Sequence, residues 1–494
     1  MRSAKRPSRD RNLPRLSDLL DAAPAADLDI AGLTADSRQV LPGFLFAALP
    51  GGTIDGRAYI ADAVARGAAA VLAVPGTDTH GAALIADDNP RRGFARLAAR
   101  FNGSQPAIMA AVTGTNGKTS VAVFTRRIWR ELGFAAASLG TLGISSPAGE
   151  EPGGLTTPDP ATLHRRLAEL AKAGVTHAAM EASSHGLNQY RLDGVRIAAA
   201  GFTNLTRDHL DYHIDMAAYA AAKLRLFTEL LPAGGGAVIN ADDPLAPRLA
   251  EIARGRGHHL LTYGAAAGCD LRLERRDPDG DGQALSLRIL GRPVETYLPL
   301  PGAFQAGNAL CALGLVIACG GDPQAAVAAL PGLQGVPGRL QRIGARGAGG
   351  SVYVDYAHTP DALKTILTAL RPHAGRRLSV VFGCGGDRDA GKRPLMGRIA
   401  ADLADDVVIT DDNPRGENPA AIRRQILAAC PGAREIGDRA EAIAAAVAAL
   451  EDGDILVIAG KGHERGQIVG ATTLPFDDGE VARQTLARLE GGRP

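Results

Sequence analysis

The run Ile108-Met109-Ala110-Ala111-Val112-Thr113-Gly114-Thr115-Asn116-Gly117-Lys118-Thr119 decides the fold class of this 494-residue chain. Its first six residues, apolar or small, read as a buried strand. They break into a glycine turn, and from Ser120 onward Val121, Phe124, Ile128 and Leu132 return on one helical face. Outward in both directions, short apolar runs bounded by Gly or Asp alternate with helical stretches, the pattern of an α/β fold on parallel sheets. Upstream, strands are expected over residues 44–49, 69–74 and 83–86, then a helix over 91–101 closed by Asn102-Gly103 and Pro106. Downstream, strands are expected near 177–180, 199–203 and 236–240, a helix over 216–231 and a turn-rich break at 331–338. Strands at 352–355, 378–382, 407–410 and 455–459 follow, each succeeded by a helical stretch. The Ala-rich tract 440–450 is a helix former, and no repeat of solenoid or propeller length recurs.

At roughly 150 residues per domain the length predicts about three domains. The boundary signals put them at residues 1–105, 106–338 and 339–494. Lys and Arg number 54 against 53 Asp and Glu, so nothing global draws the chain to nucleic acid or an anionic membrane. Five cysteines without a C-x-x-C pair disfavour a disulfide framework and a structural zinc site, and fit reduced thiols in a cytoplasm. The longest apolar stretch, residues 309–319, falls short of the ~18 residues of a membrane span. Residues 1–15 are basic and polar, lack the apolar segment of a secretory signal, and read as a disordered lead-in.

The glycine turn carries the first chemistry. Converging main-chain N–H groups and a helix N-terminus favour phosphate oxygens, Lys118 can reach the β- and γ-phosphates, and Thr119 can ligate Mg²⁺. Position 112, where the general phosphate-loop pattern has its first glycine, is valine. The alternative is an ordinary Gly-rich strand-to-helix turn; an ATP-type nucleotide site is the expectation. Glu181 follows a strand, where it can hold a metal ion, although a lone carboxylate there is more often solvated. The segment Thr203-Asn204-Leu205-Thr206-Arg207-Asp208-His209-Leu210-Asp211-Tyr212-His213 is dense in oxygen and imidazole donors and suits a metal or phosphate site better than a core. Lys223, on the helix expected at 216–231 with Tyr219, Leu226 and Leu230 as its apolar stripe, reads by itself as a surface lysine.

Together these segments resemble the Mur ligase family, ATP-dependent amide-bond synthetases of peptidoglycan precursor assembly, over nearly the whole chain. Residues 113–119 look like the family's G-T-N-G-K-T loop, and 181–187, 204–213, 302–308, 338–339, 355–360 and 385–394 look like its further blocks, in the family's order. The resemblance implies a central phosphate-loop ATPase domain on a parallel sheet. It is flanked by an N-terminal α/β uridine-nucleotide domain and a C-terminal Rossmann-like domain. For ATP it implies contacts from Gly114, Thr115, Asn116, Gly117, Lys118, Thr119 and Ser120, with Asn308 at the adenine and Arg339 and Asp355 where the third domain closes. For a UDP-N-acetylmuramoyl-dipeptide it implies Ala35, Ser37, Gly52, Thr53 and Ile54, then Thr156, Thr157, Ser183, Gln189 and Arg191. Lys223 aligns with the family's carbamylated lysine, an oxygen ligand for Mg²⁺ beside Thr119, Glu181 and His209. Lys118, Lys223, His209 and Glu181 are then the catalytic set. Ala111 replaces a glycine common before the loop, and the basic N-terminal extension has no counterpart.

Asp412-Asn413-Pro414-Arg415 resembles the sequence that separates diaminopimelate-adding members from lysine-adding ones, with Arg388, Gly460 and Glu464 completing that pocket. Diaminopimelate has a second carboxylate, which an arginine fork pairs through two charge-assisted bonds and which lysine lacks. The implied reaction is phosphorylation of the D-glutamate side-chain carboxylate by ATP, then attack by the diaminopimelate amine. The partners expected are small-molecule substrates, and the chain is expected to act as a monomer. The alternatives are a lysine-adding ligase, a folylpolyglutamate-synthetase-like ligase, against which Asp36-Ser37-Arg38 and Asp412 to Arg415 weigh, and an ATP-regulated binding protein.

Overall fold

The computed structural model describes residues 13–21, 23–24, 26–51, 55–209, 212–347 and 350–491. The strand Ile108–Thr113 lies inside the largest sheet, parallel to Ile197–Phe202 on one side and His177–Glu181 on the other. Its alternate side chains divide between two cores. Ala110 and Val112 pack with the helices Lys118–Glu131 and Ala303–Ala318, whereas Met109 and Ala111 pack with Pro160–Lys172 and Ala246–Arg256. Burial on both faces is why the run is continuously apolar.

Among the described residues seven strands of this sheet run parallel, in the order Leu271–Asp279, His259–Gly264, Gly236–Asn240, Ile197–Phe202, Ile108–Thr113, His177–Glu181, Ala136–Gly140. The expectation of a parallel sheet is corrected at both edges. Gly282–Ile289 and Arg292–Leu298 extend one edge antiparallel, and Gly143–Ser146 and Gly149–Glu151 the other. In the longer extension buried Leu285, Leu287 and Ile289 alternate with less buried Ser286 and Arg288, the mark of a half-solvated antiparallel strand.

A four-stranded parallel sheet (Gly32–Thr34, Phe44–Ala47, Ala70–Ala73, Ala83–Ala86) precedes it in the chain. A six-stranded sheet follows, ordered Gln341–Arg346, Gly350–Asp355, Ile455–Ala459, Leu378–Phe382, Asp406–Ile409, Arg434–Glu435, with only the first pair antiparallel. A separate hairpin pairs Gly466–Val469 with Thr472–Pro475.

Two expected helices differ in instructive ways. The apolar stretch 309–319 lies mostly in Ala303–Ala318, a core helix buried on nearly every side, and no described helix is long and apolar enough to cross a membrane. The helix expected over 216–231 is α-helical from Met216 to Arg225 and then widens to a π turn, Leu226–Leu230. The wider turn sends Leu226, Phe227 and Leu231 into the core while Arg225 reaches Asp193, and His258 meets the Phe227 carbonyl at 2.9 Å.

The last sheet is pinned by one fully buried ion pair. Arg439 Nε and Nη2 each donate to Asp478 at 2.7 Å, and Nη2 also meets Ala459 O at 3.0 Å, at the end of the central strand of that sheet. Removing the carboxylate strands a buried cation, so Asp478→Ala is expected to lose about 3–5 kcal/mol in denaturant unfolding. A loss below about 1 kcal/mol would contradict this role.

Candidate active site

Gly114 and Gly117 give the loop a path closed to other residues. Their φ values are +149° and +88°, and a Cβ on the first would collide with Thr203 Oγ1, on the second with Asn308 Oδ1. The helix begins at Lys118, two residues before the apolar periodicity indicated, so its first-turn N–H groups and dipole face the loop. Lys118 folds back, its ammonium donating to Gly114 O at 2.9 Å and Thr115 O at 2.8 Å, which leaves one N–H for a phosphate oxygen. Thr203 Oγ1 donates to Asn116 O at 2.6 Å, fastening the loop to the neighbouring strand end.

Glu181, the last residue of its strand, is only 2 % exposed, which corrects the solvated reading. Its Oε2 accepts from Thr119 Oγ1 at 3.0 Å and Thr141 Oγ1 at 3.2 Å, and its Oε1 from Thr141 N–H at 2.7 Å. Gly140 makes room, since a Cβ there would strike that carboxylate. Lys223 is 1 % exposed, overturning the surface reading of its sequence taken alone. Its Nζ donates to Gly114 O at 2.7 Å and lies 4.3 Å from the Tyr219 ring centre. Burial, with Lys118 nearby, drives this ammonium well below the ordinary lysine pKa. His209 takes φ +52°, its half-exposed ring 3.6 Å from the Asp208 carboxylate.

The Thr119 hydroxyl and Glu181 carboxylate are hard oxygen donors already in contact, which fits an Mg²⁺ completed by phosphate oxygens and water. Among the described residues no three His, Cys, Asp or Glu side chains group so as to hold a metal ion by themselves.

A cleft of about 390 Å³ brings the ATP set together. Thr115, Asn116, Gly117, Lys118, Thr119 and Ser120 line it with Glu181, His209, Lys223 and, against Gly117, Asn308; Arg339 and Asp355 line it from beyond residue 338, and Gly114 lies behind the loop. Arg339 stacks on Tyr356, 4.6 Å from its ring centre. Asp355 accepts N–H groups from Leu340 at 2.6 Å and Ala357 at 2.7 Å. Burial pushes its carboxyl up to about 6, against the opposing pull of Arg339 and those two bonds. Thr141, Phe304, Tyr356 and His358 also line the cleft and were missed from sequence. Thr141 follows the strand Ala136–Gly140 of the same sheet; Phe304 lies in the block 302–308, and Tyr356 and His358 in the block 355–360, though none was named there as a site residue.

The dipeptide set divides. Thr156 and Ser183 line the cleft. Thr157 continues from them, its hydroxyl bonded to Ser183 and to Glu181 O, and Arg191 donates to Thr157 O and Gln189 Oε1, both at 2.7 Å. Ala35, exposed, follows the strand Gly32–Thr34, and Ser37, buried, opens the short 3-10 helix Ser37–Gln39; neither lines the cleft, and Gly52, Thr53 and Ile54 lie outside the described residues. The diaminopimelate set forms a cluster of its own, outside the cleft. Asn413 Nδ2 donates to Glu464 Oε2 at 3.0 Å, Arg415 Nη1 to Gly386 O at 2.9 Å, and Pro414 O accepts from Glu417 N–H. Gly460, with φ +118°, leaves Asp412 the space a Cβ would fill. Arg388 is exposed on the loop that carries Gly386. The His463 ring, 5.2 Å from that of Tyr356, joins this cluster to the cleft wall.

Residues 29–115 match the family described as "Mur ligase family, catalytic domain", 112–316 "Mur ligase middle domain" and 338–462 "Mur ligase, glutamate ligase domain". The chain belongs to the Mur ligase family. It is an ATP-dependent ligase that forms a peptide bond. A relative from Bradyrhizobium diazoefficiens, named UDP-N-acetylmuramoyl-L-alanyl-D-glutamate--2,6-diaminopimelate ligase, is 55% identical over 481 residues, 96% of this chain and 99% of its own. One of the same name from Caulobacter vibrioides is 55% identical over 484 residues, covering 97% and 99%. A solved structure of a protein with that name superposes with a TM-score of 0.74 at 36% identity, over 97% of this chain and 99% of that one.

Asp355 gives this Mur ligase a pH signature. A carboxyl whose folded value lies above 3.8 holds its proton more tightly than the unfolded chain does, so its ionisation costs folding stability. The cost is absent below about pH 4 and complete above about pH 6. Relative to Asp355→Asn, the wild type should lose up to about 3 kcal/mol across that interval in denaturant melts. A difference that stays constant with pH would refute it.

Proposed function

We propose that the chain joins 2,6-diaminopimelate to the D-glutamate side-chain carboxylate of UDP-N-acetylmuramoyl-L-alanyl-D-glutamate, using ATP and Mg²⁺. The observation that carries the reading is the meeting of the phosphate loop, Glu181 and buried Lys223 on one side of a cleft with Arg339 and Asp355 on the other. The names of the full-length relatives support the substrates, and Asp412 to Arg415 supports diaminopimelate over lysine.

The acid's oxide is a poor leaving group, so its oxygen first attacks the γ-phosphorus of ATP and ADP departs. The amine then attacks the acyl carbon and phosphate leaves, carrying one oxygen from the acid. Lys118 and the first-turn N–H groups of its helix hold the phosphates in line, while His209 stands at the mouth beside them. Mg²⁺ at Thr119 and Glu181 supplies charge neutralisation when bound. Burial lowers the Lys223 pKa and so favours its free amine, which can add CO₂: an N–C bond forms, a proton leaves, and the amine becomes a carbamate whose carboxylate could face the metal. Thr156, Thr157, Ser183, Gln189 and Arg191 hold the dipeptide, Ala35 and Ser37 the uridine end, and Arg388, Arg415, Gly460 and Glu464 the acceptor. We assign the reaction to the cytoplasm, in keeping with five free cysteines, and to a monomer.

Dipeptide labelled with ¹⁸O in the glutamate carboxylate should give labelled inorganic phosphate only when ATP and diaminopimelate are both present; unlabelled phosphate ends the proposal. Lys223→Ala should abolish turnover with ATP binding retained, and near-normal activity would remove the carbamate.

A further inference from the structure

The hairpin of Gly466–Val469 and Thr472–Pro475 has no part in the reaction described, yet it is bonded to three residues of the acceptor motif. The Gln467 side-chain amide donates to Asp412 O at 2.8 Å, and the Ile468 N–H donates to Asn413 Oδ1 at 2.9 Å. The Arg415 N–H donates to Ile468 O at 3.0 Å, and the Gly470 N–H donates to Arg415 O at 2.8 Å, so that Arg415 pairs with Val469 as one parallel bridge.

Arg415 needs this support because its φ is +50°, a left-handed conformation that costs an L residue with a side chain. Such a residue persists where its surroundings over-determine it. On its other side, Nη1 donates to Gly386 O at 2.9 Å, and the Gly386 N–H returns a bond to Asn413 O at 2.9 Å. Nη1 is therefore spent on the protein. Among the described residues, Nε and Nη2 have no hydrogen-bond partner, which leaves one edge of the fork for a carboxylate. Gln467 is the member of the hairpin strand that reaches the motif through its own side chain rather than through main chain.

We infer that this hairpin is the strut that sets acceptor specificity, with Gln467 as its positioning residue: it holds Arg415 in the backbone state from which the free edge of its guanidinium meets the acceptor's second carboxylate. The inference rests on the proposed diaminopimelate reading.

Gln467→Met keeps the volume and removes the donor. It should raise the KM for diaminopimelate about tenfold and narrow the preference over lysine, while kcat and the KM values for ATP and the nucleotide-dipeptide stay within about twofold. An unchanged diaminopimelate KM in the folded variant overturns the strut. Should that variant fold poorly, Gln467→Glu, which sets a carboxylate against Asp412 O, carries the same test. Arg415→Ala, assayed alongside, separates the two levels. If it leaves the diaminopimelate KM unchanged, the acceptor reading fails; if it raises that KM by an order of magnitude while Gln467→Met does not, only the hairpin inference fails.

Discussion

Main chain and functional side chain approach each other in this cleft with no Cβ between them, and the rest of the site depends on that closeness. Gly114 lies against Thr203, Gly117 against Asn308, and Gly140 against the Glu181 carboxylate. At Gly114 and Gly140 the missing methyl lets one strand end touch the next, and at Gly117 it lets the loop touch the helix Ala303–Ala318, so the loop is held by its neighbours as well as by its own sequence. The same closeness lets Gly114 O accept both Lys118 and Lys223, drawing two cations to a single carbonyl. Two like charges held that near favour loss of a proton from the more buried one, and Lys223 is the more buried.

The third sheet shapes the reaction from the opposite wall. Gly338, with φ +66°, turns the chain against the Gly462-His463 main chain and delivers Arg339 onto Tyr356. One short stretch thus touches both the cleft and the loop of the cluster around Asp412 to Arg415. Behind it the buried Arg439 and Asp478 pair ties Ala459 O to the last helix, so the strand end that leads to Gly460 has a rigid base. Rigidity there matters for the proposed acceptor pocket, because an arginine fork would discriminate between acceptors only if its angle were fixed.

Much of the fold was legible because parallel strands buried on both faces must be apolar throughout. The strands Ile108–Thr113, Gly236–Asn240, Leu378–Phe382 and Ile455–Ala459 start and stop where glycine, aspartate and arginine punctuate the sequence. The antiparallel edges were not legible in the same way, since their half-solvated alternation is diluted by arginine and glutamate. The π turn after Arg225 was also hidden, because a widened turn leaves the apolar spacing of a helix nearly intact while shifting which residues point inward.

The sequence by itself determined the α/β class, the phosphate loop and the family, because these rest on local order: a strand, a glycine turn, a helix, and motifs in a fixed succession. Burial belonged to the tertiary structure. Lys223 and Glu181 look like surface charges in their own segments, and only the packing of the strand ends at residues 114, 141 and 181 with the helix that carries Lys223 removes water from them. The conformation of Arg415 was decided the same way, by a hairpin some fifty residues further along the chain. Desolvation and backbone strain arise from what packs against a residue, and a linear sequence does not encode those neighbours locally.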